Sequence, residues 1–246
     1  MLNVELTHEV IVNSVCLMWF LLCWVGYTYY AKDQAVKKPC LATELHKYRE
    51  LWMQRVMMRD IRVGDAALIA NLERNVSFLA STTILILAGL LTLFSVTDEI
   101  TTLVEQVPFA SHSSYLSVQL KTLLLIIIFV YAFFSFTWSM RQYGFCSIVL
   151  GAAPLVNEEG VTELERQDYA VYAARIIDLA GLSYNHGLRA YYFALSVLAW
   201  FITPYLFIFA STFVAAVLYR REFKSRSLKA LMQKDDIEGQ SGSALI

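Results

Sequence analysis

The residues with the most chemistry to offer are guanidinium and amide groups gathered beside apolar runs. One set is Arg55, Arg59, Asp60, Arg62, Asp65, Asn71, Arg74 and Asn75, which leads into an apolar stretch starting at Val76. A second is Arg141 with Gln142, just after another apolar stretch. A third is Asn185, His186 and Arg189, just before a third stretch. Guanidinium groups bind carboxylates and phosphates through paired N–H donors, and amides add directional hydrogen bonds. Helical spacing puts Arg55, Arg59 and Arg62 on one face, and Asn71, Asn75, Phe78 and Thr82 on another. Two readings of these clusters stay open. In one, the arginines pair with Asp60, Asp65, Glu73 and Asp178, bind lipid phosphates and fix the orientation of the chain. In the other, they line a pocket or pore for a small anionic or polar solute, or for a lipid headgroup, with Asn71 and Asn75 as hydrogen-bonding partners.

Other chemistries lack a pattern. There is no HExxH, GxSxG, P-loop or glycine-rich dinucleotide fingerprint. His8, His46, His112 and His186 are scattered, and none stands four residues from another histidine or a cysteine. Cys16, Cys23, Cys40 and Cys146 have no CxxC spacing and read as small core residues. The expectation is therefore no catalytic residue, no cofactor and no metal. A net charge of −1 gives no bias toward nucleic acid.

The elements that position the clusters are membrane spans. Hydrophobic residues make up 57% of the 246 and charged residues only 17%, against roughly 45–50% and about 25% in soluble domains. Four stretches carry no charge and approach or exceed the ~20 residues needed to cross hydrocarbon: Ile11–Tyr30, Val76–Val96, Thr122–Met140 and Tyr191–Tyr219. Tyr27, Tyr29 and Tyr30 close the first, and Tyr191 and Tyr192 open the last, as an interfacial aromatic belt would. Glu5 and Glu9, with no Lys or Arg before Val10, argue against a cleaved signal peptide. Pro204 falls within the last stretch and predicts a kink there. In the first loop, Leu41, Leu45, Tyr48 and Trp52 oppose Glu44, Lys47, Glu50 and Gln54, which predicts an amphipathic helix in the membrane interface. In the third, Thr162 and Glu165 have capping-box spacing and Gly181 is a terminator, with an apolar stripe of Tyr169, Tyr172, Ile176 and Leu179 between. Ser77 with Ser81, and Ser211 with Ala215, permit close helix approach, within one chain or between copies.

Charge counting leaves one conflict. Residues 1–10 hold no Lys or Arg, the 31–75 loop holds nine, and the 141–190 segment holds four. The positive-inside tendency then puts the N-terminus outside and loops one and three inside. Four spans would leave the basic tail, with Arg220, Arg221, Lys224, Arg226, Lys229 and Lys234, outside. A fifth crossing at Gln142–Val156 would restore the rule, but fifteen residues cover only about 22 Å, so a re-entrant or interfacial segment fits equally.

Four motifs carry a resemblance: Arg55-Val-Met-Met-Arg-Asp-Ile-Arg, Asn71-Leu-Glu-Arg-Asn-Val-Ser-Phe-Leu-Ala-Ser-Thr-Thr, Trp138-Ser-Met-Arg-Gln-Tyr and Asn185-His-Gly-Leu-Arg-Ala-Tyr-Tyr-Phe. Over about residues 10–220 the chain resembles the family catalogued as domain of unknown function 599. The resemblance implies a bacterial inner-membrane (plasma-membrane) protein and implies no activity.

The whole reading is an all-α integral membrane helical bundle with about four transmembrane helices, five if Gln142–Val156 crosses. An interfacial helix in loop one and a loop-three helix complete it. Residues 1–219 form the membrane domain, and residues 220–246 form a polar basic tail, disordered at its end. The N-terminus is periplasmic; the side of the C-terminus stays open. The expected role is structural or partner-binding, as a homo-oligomer or with another membrane protein, and with membrane lipids as partners. The alternative is a transporter or channel for a small anionic or polar solute.

Overall fold

A computed structural model describes residues 2–96 and 115–233 of the protein, with side chains from Val10 onward. His112, most of the second loop and the end of the tail lie outside the described residues. Every regular element among the described residues is a helix: α1 (Leu2–Leu21), α2 (Tyr27–Lys37), α3 (Leu41–Met57), α4 (Val63–Ser95), α5 (Tyr115–Gly151), α6 (Glu163–Trp200) and α7 (Pro204–Phe223), with residues 226–233 helical as well. A π-helical turn, Leu22–Gly26, joins α1 to α2 without a break. Among the described residues, three helices are long and apolar enough to cross a membrane: Val10–Lys37, Val63–Ser95 and Tyr115–Gly151.

The fourth expected span, Tyr191–Tyr219, is not one helix. Its first part belongs to α6, which ends at Trp200, and Pro204 is the first residue of α7. Proline lacks the N–H that an interior position must donate, whereas at a first position that donor has no helical partner anyway. The expected kink is therefore a full break. Gln142–Val156 is not a separate crossing either, because α5 continues unbroken to Gly151. At about 1.5 Å per residue its 37 residues reach about 55 Å, so α5 extends well beyond the hydrocarbon.

The chain divides into two compact units. Unit one holds Met1–Lys47 and Pro204–Ile246, and unit two holds Tyr48–Thr203. In unit one, α1 and α7 pack side by side in the same direction. Cys16 Sγ lies 3.9 Å from the Pro204 carbonyl, Phe20 stacks on Phe207 at 5.3 Å, and the Tyr30 and Tyr219 rings sit 6.1 Å apart. The indole N–H of Trp19 donates to Thr212 Oγ1 at 3.1 Å.

In unit two, α5 packs against both α4 and α6. Ser183 Oγ donates to Gln142 Oε1 at 2.7 Å, and Lys121 Nζ lies 5.7 Å from the Trp200 ring centre. Those two contacts fix α5 and α6 as antiparallel neighbours over the whole Lys121–Gln142 stretch. The Thr83 and Tyr191 hydroxyls meet at 2.7 Å, joining α4 to α6 between those two levels.

The loop-three helix differs from expectation in two ways. The capping box at Thr162 and Glu165 is present, but the helix it opens runs through Gly181 to Trp200. Its packed stripe is Ala170, Ala173, Ala174, Ile177 and Ala180, while Tyr172 and Leu179 face outward. Alanines let neighbouring backbones approach, and the large side chains are then pushed to the outer face. Likewise α3 forms as expected but does not sort its faces as expected. Glu44, Met53, Val56 and Met57 are buried, and Trp52 is only half-buried.

Candidate functional site

The polar residues of unit two gather at the end of the bundle where α3, the start of α4, the α5–α6 turn and the first half of α6 come together. α3 ends at Met57 and α4 begins at Val63, so Arg59 and Arg62 lie in the turn between them. Arg59 folds back so that Nη1 donates to Asp65 Oδ1 at 2.8 Å. Asp65 also accepts the indole N–H of Trp52 at 2.7 Å, and it is buried, only 3% exposed. A buried carboxylate is costly unless such donors satisfy its oxygens. Asp65 occupies the first turn of α4, where the helix dipole favours negative charge.

Arg62 reaches the other way. Its Nη1 and Nη2 donate to the carbonyls of Ala153 (2.7 Å) and Pro154 (2.5 Å), just beyond the end of α5. Arg166, also buried, donates to the carbonyls of Leu155 and Glu158 in the same turn. Carbonyls past a helix C-terminus have no helical partner, so two guanidiniums close this turn chemically as well as electrostatically. The Tyr169 hydroxyl donates to the Val149 carbonyl at 2.7 Å. At the fully exposed cap, hydrogen bonds from the Thr162 N–H and hydroxyl hold the Glu165 carboxyl below the usual carboxylate range.

A third bridge ties α3 to α6. Arg49 Nη1 donates to Asp178 Oδ1 at 2.7 Å. The guanidinium passes directly over Gly181, where an added Cβ would stand 3.1 Å from Arg49 Nη2. Gly181 thus lies inside the helix beneath a neighbouring side chain, where sequence alone reads a terminator. Below it, Ser139 Oγ donates to the Ala180 carbonyl at 2.7 Å, and Gln142 is held by Ser183.

The sequence-selected residues separate into two groups. Arg59, Arg62 and Gln142 take part in these internal contacts. Arg55, Asp60, Asn71, Arg74, Asn75, Arg141 and Asn185 are exposed, and Arg189 is half-buried, so the full set does not converge on one enclosed cavity. Arg141 lies against the Phe145 ring at 5.7 Å. Motifs in the sequence miss Arg49 and Arg166, show Trp52 only as part of an apolar stripe, and leave Lys121 outside the third span. The one available signal is helical phase, since Arg49 and Trp52 both lie on α3 within one turn of each other. A cavity of about 530 Å³ beside the α5–α6 turn is lined by Gln54, Met57, Met58, Glu163, Arg166 and Asp168, among others. Among the described residues no group of three or more His, Cys, Asp or Glu could hold a metal ion.

No curated protein and no solved structure matches this chain. A family model described as "Protein of unknown function, DUF599" matches residues 15–227. That match covers α4, α5 and α6 with every contact of the arginine network, and the chain belongs to this family.

Proposed function

We propose that this chain is a structural, partner-binding protein of a bacterial inner membrane, and that its polar cluster is a framework rather than a solute site. The observation that carries the reading is the state of Arg49, Arg59, Arg62 and Arg166. Each guanidinium is engaged by a carboxylate or carbonyl of this same chain. A solute site keeps donors uncommitted until the solute arrives, because an internal partner must be displaced at a cost comparable to what binding returns.

The chain crosses the membrane five times on this reading, through α1–α2, α4, α5, α6 and α7. The parallel course of α1 and α7 supports it, because helices running the same way end on the same side. The basic end of α7, with Arg220 and Arg221, then lies on the side of loop one. This satisfies the positive-inside tendency that four crossings violate. The N-terminus is periplasmic.

The face left for a partner is the outer stripe of α4: Asn71, Arg74, Asn75, Phe78 and Ser81, all exposed. Polar groups facing lipid are costly, and a second copy meeting the same stripe would satisfy them. With Ser81→Cys, oxidation in proteoliposomes should give a covalent dimer, and Asn75→Leu added to it should reduce dimer formation about tenfold. Monomer at every protein-to-lipid ratio, or chloride or phosphate flux above that of empty vesicles, would contradict the reading.

A further inference from the structure

The helices of unit one end together in a basic collar. α7 has 20 residues, about 30 Å at 1.5 Å per residue, which matches the thickness of the hydrocarbon. As a crossing, it brings Arg220 and Arg221 of its last turn to the membrane surface. The Tyr30–Tyr219 ring contact sets α2 level with that turn. Residues 31–38 and 220–233 together hold eight Lys and Arg against two carboxylates, Asp33 and Glu222. Both carboxylates are committed. Asp33 pairs with Lys37 at 2.5 Å, and Glu222 accepts the Ala42 N–H in the first turn of α3 at 3.2 Å.

A short helix, residues 226–233, continues from the collar. Ser225 opens it, its Oγ accepting the Leu228 N–H at 3.0 Å as an N-cap does. At about 100° per residue, Leu228, Leu231 and Met232 share one face, and Arg226, Lys229 and Gln233 share the other. Leu228 is buried and Leu231 half-buried, while Arg226 and Lys229 are exposed. Lys38 and Arg220 are exposed as well, and none of these four cations forms an ion pair among the described residues.

We propose that this helix and the collar beside it are a docking surface for the anionic phospholipid headgroups of the leaflet in which α7 ends. The inference rests on α7 as a crossing. It needs neither the dimer, which uses the outer stripe of α4, nor a particular side of the membrane. Charge selects the occupant, because exposed cations without carboxylate partners stand within a few residues of hydrocarbon, where lipid phosphates are the densest anions. The helix has the form of an interfacial one, with its apolar face turned in and its basic face free. Long Arg and Lys stems let the charged heads reach headgroup level from the edge of that face.

Hydrogen exchange of the full chain, in nanodiscs of phosphatidylcholine with and without phosphatidylglycerol, tests it. Amides of residues 226–233 should exchange at least about tenfold more slowly when phosphatidylglycerol is present, and high salt should remove the difference. Arg226→Gln and Lys229→Gln should each reduce that ratio about fivefold, the effect of one cation near an anionic surface. Glutamine keeps the helix propensity, so the loss reports charge. Arg175→Gln, an exposed cation on α6, should leave the ratio unchanged. Inorganic phosphate at millimolar concentration should not slow exchange in phosphatidylcholine. Equal exchange in both lipids, with α7 protected throughout, would overturn the proposal and leave the crossing standing. Free exchange across α7 in both lipids would overturn the two together. A ratio that survives high salt, or one that the paired Arg226→Gln and Lys229→Gln substitutions leave intact, would also overturn it. So would slow exchange in phosphatidylcholine that is lost on Asp235→Asn with Asp236→Asn, which would place the tail's own carboxylates on these cations.

Discussion

Replacing Asp65 with alanine should lower stability in detergent by about 2–4 kcal/mol, read as the shift in an SDS or thermal unfolding transition. The carboxylate is almost wholly buried and holds both the Trp52 indole and the Arg59 guanidinium. Its loss leaves the indole N–H without that acceptor and removes the link between α3 and the start of α4. Arg59 is half-exposed, so it regains water, which keeps the cost nearer the lower figure. Asp65→Asn keeps an acceptor for Trp52 and loses only the charge, so it should fall between alanine and wild type. Trp52→Phe should cost about 1 kcal/mol, one hydrogen bond with the ring volume largely kept. Unfolding of Asp65→Ala indistinguishable from wild type would show that this cluster does not hold the α3–α4 junction.

Gly187→Ala should destabilise, although alanine is the better helix former. A Cβ at this position would stand 2.5–2.7 Å from three carbons of the Phe136 ring. Phe136 is fully buried and cannot swing away freely, because Tyr184 and Tyr191 pack on it at 6.0 and 5.5 Å. Overpacking of this kind costs about 1–3 kcal/mol, which exceeds the ~1 kcal/mol that helix propensity returns. Gly89 is the control. It sits inside α4, and a Cβ added there would meet nothing within 4 Å, so Gly89→Ala should stabilise by up to about 1 kcal/mol. Phe136→Leu combined with Gly187→Ala should recover most of the loss. Equal effects at the two glycines, or no rescue by the smaller side chain, would place the α5–α6 contact elsewhere.

Much of the fold is legible in the sequence because hydrophobic length is a local property. The runs ending at Tyr30 and beginning at Val76 and Thr122 all lie within helices long enough to cross. The last run misleads because composition does not distinguish one long helix from two joined at a proline. Residues 191–219 carry no charge on either side of Pro204. Gly181 misleads for a related reason, since a glycine that ends a helix and one that admits a neighbouring side chain look alike until Arg49 is placed. The aromatic stripe through Tyr172 points the wrong way because inside a membrane bundle small residues, not large ones, mark the packed face. For the polar cluster, sequence marks Arg59, Arg62 and Asp65 as a group but does not show their partners. Asp65 and Asp178 are 113 residues apart, and their cations, Arg59 and Arg49, come from a helix and turn that only tertiary structure brings to them.

On the five-crossing reading, the basic end of α7 lies on the same side of the membrane as the first basic loop. The direct test of that reading is the labelling of single cysteines, Val36→Cys and Ser225→Cys, in a background without Cys16, Cys23, Cys40 and Cys146. Intact spheroplasts would be treated with a membrane-impermeant maleimide before and after permeabilisation. The parallel course of α1 and α7 predicts that both cysteines are protected in intact cells and both label once the membrane is opened. Labelling of Ser225→Cys from outside while Val36→Cys stays protected would contradict five crossings, and with them the account of the break at Pro204.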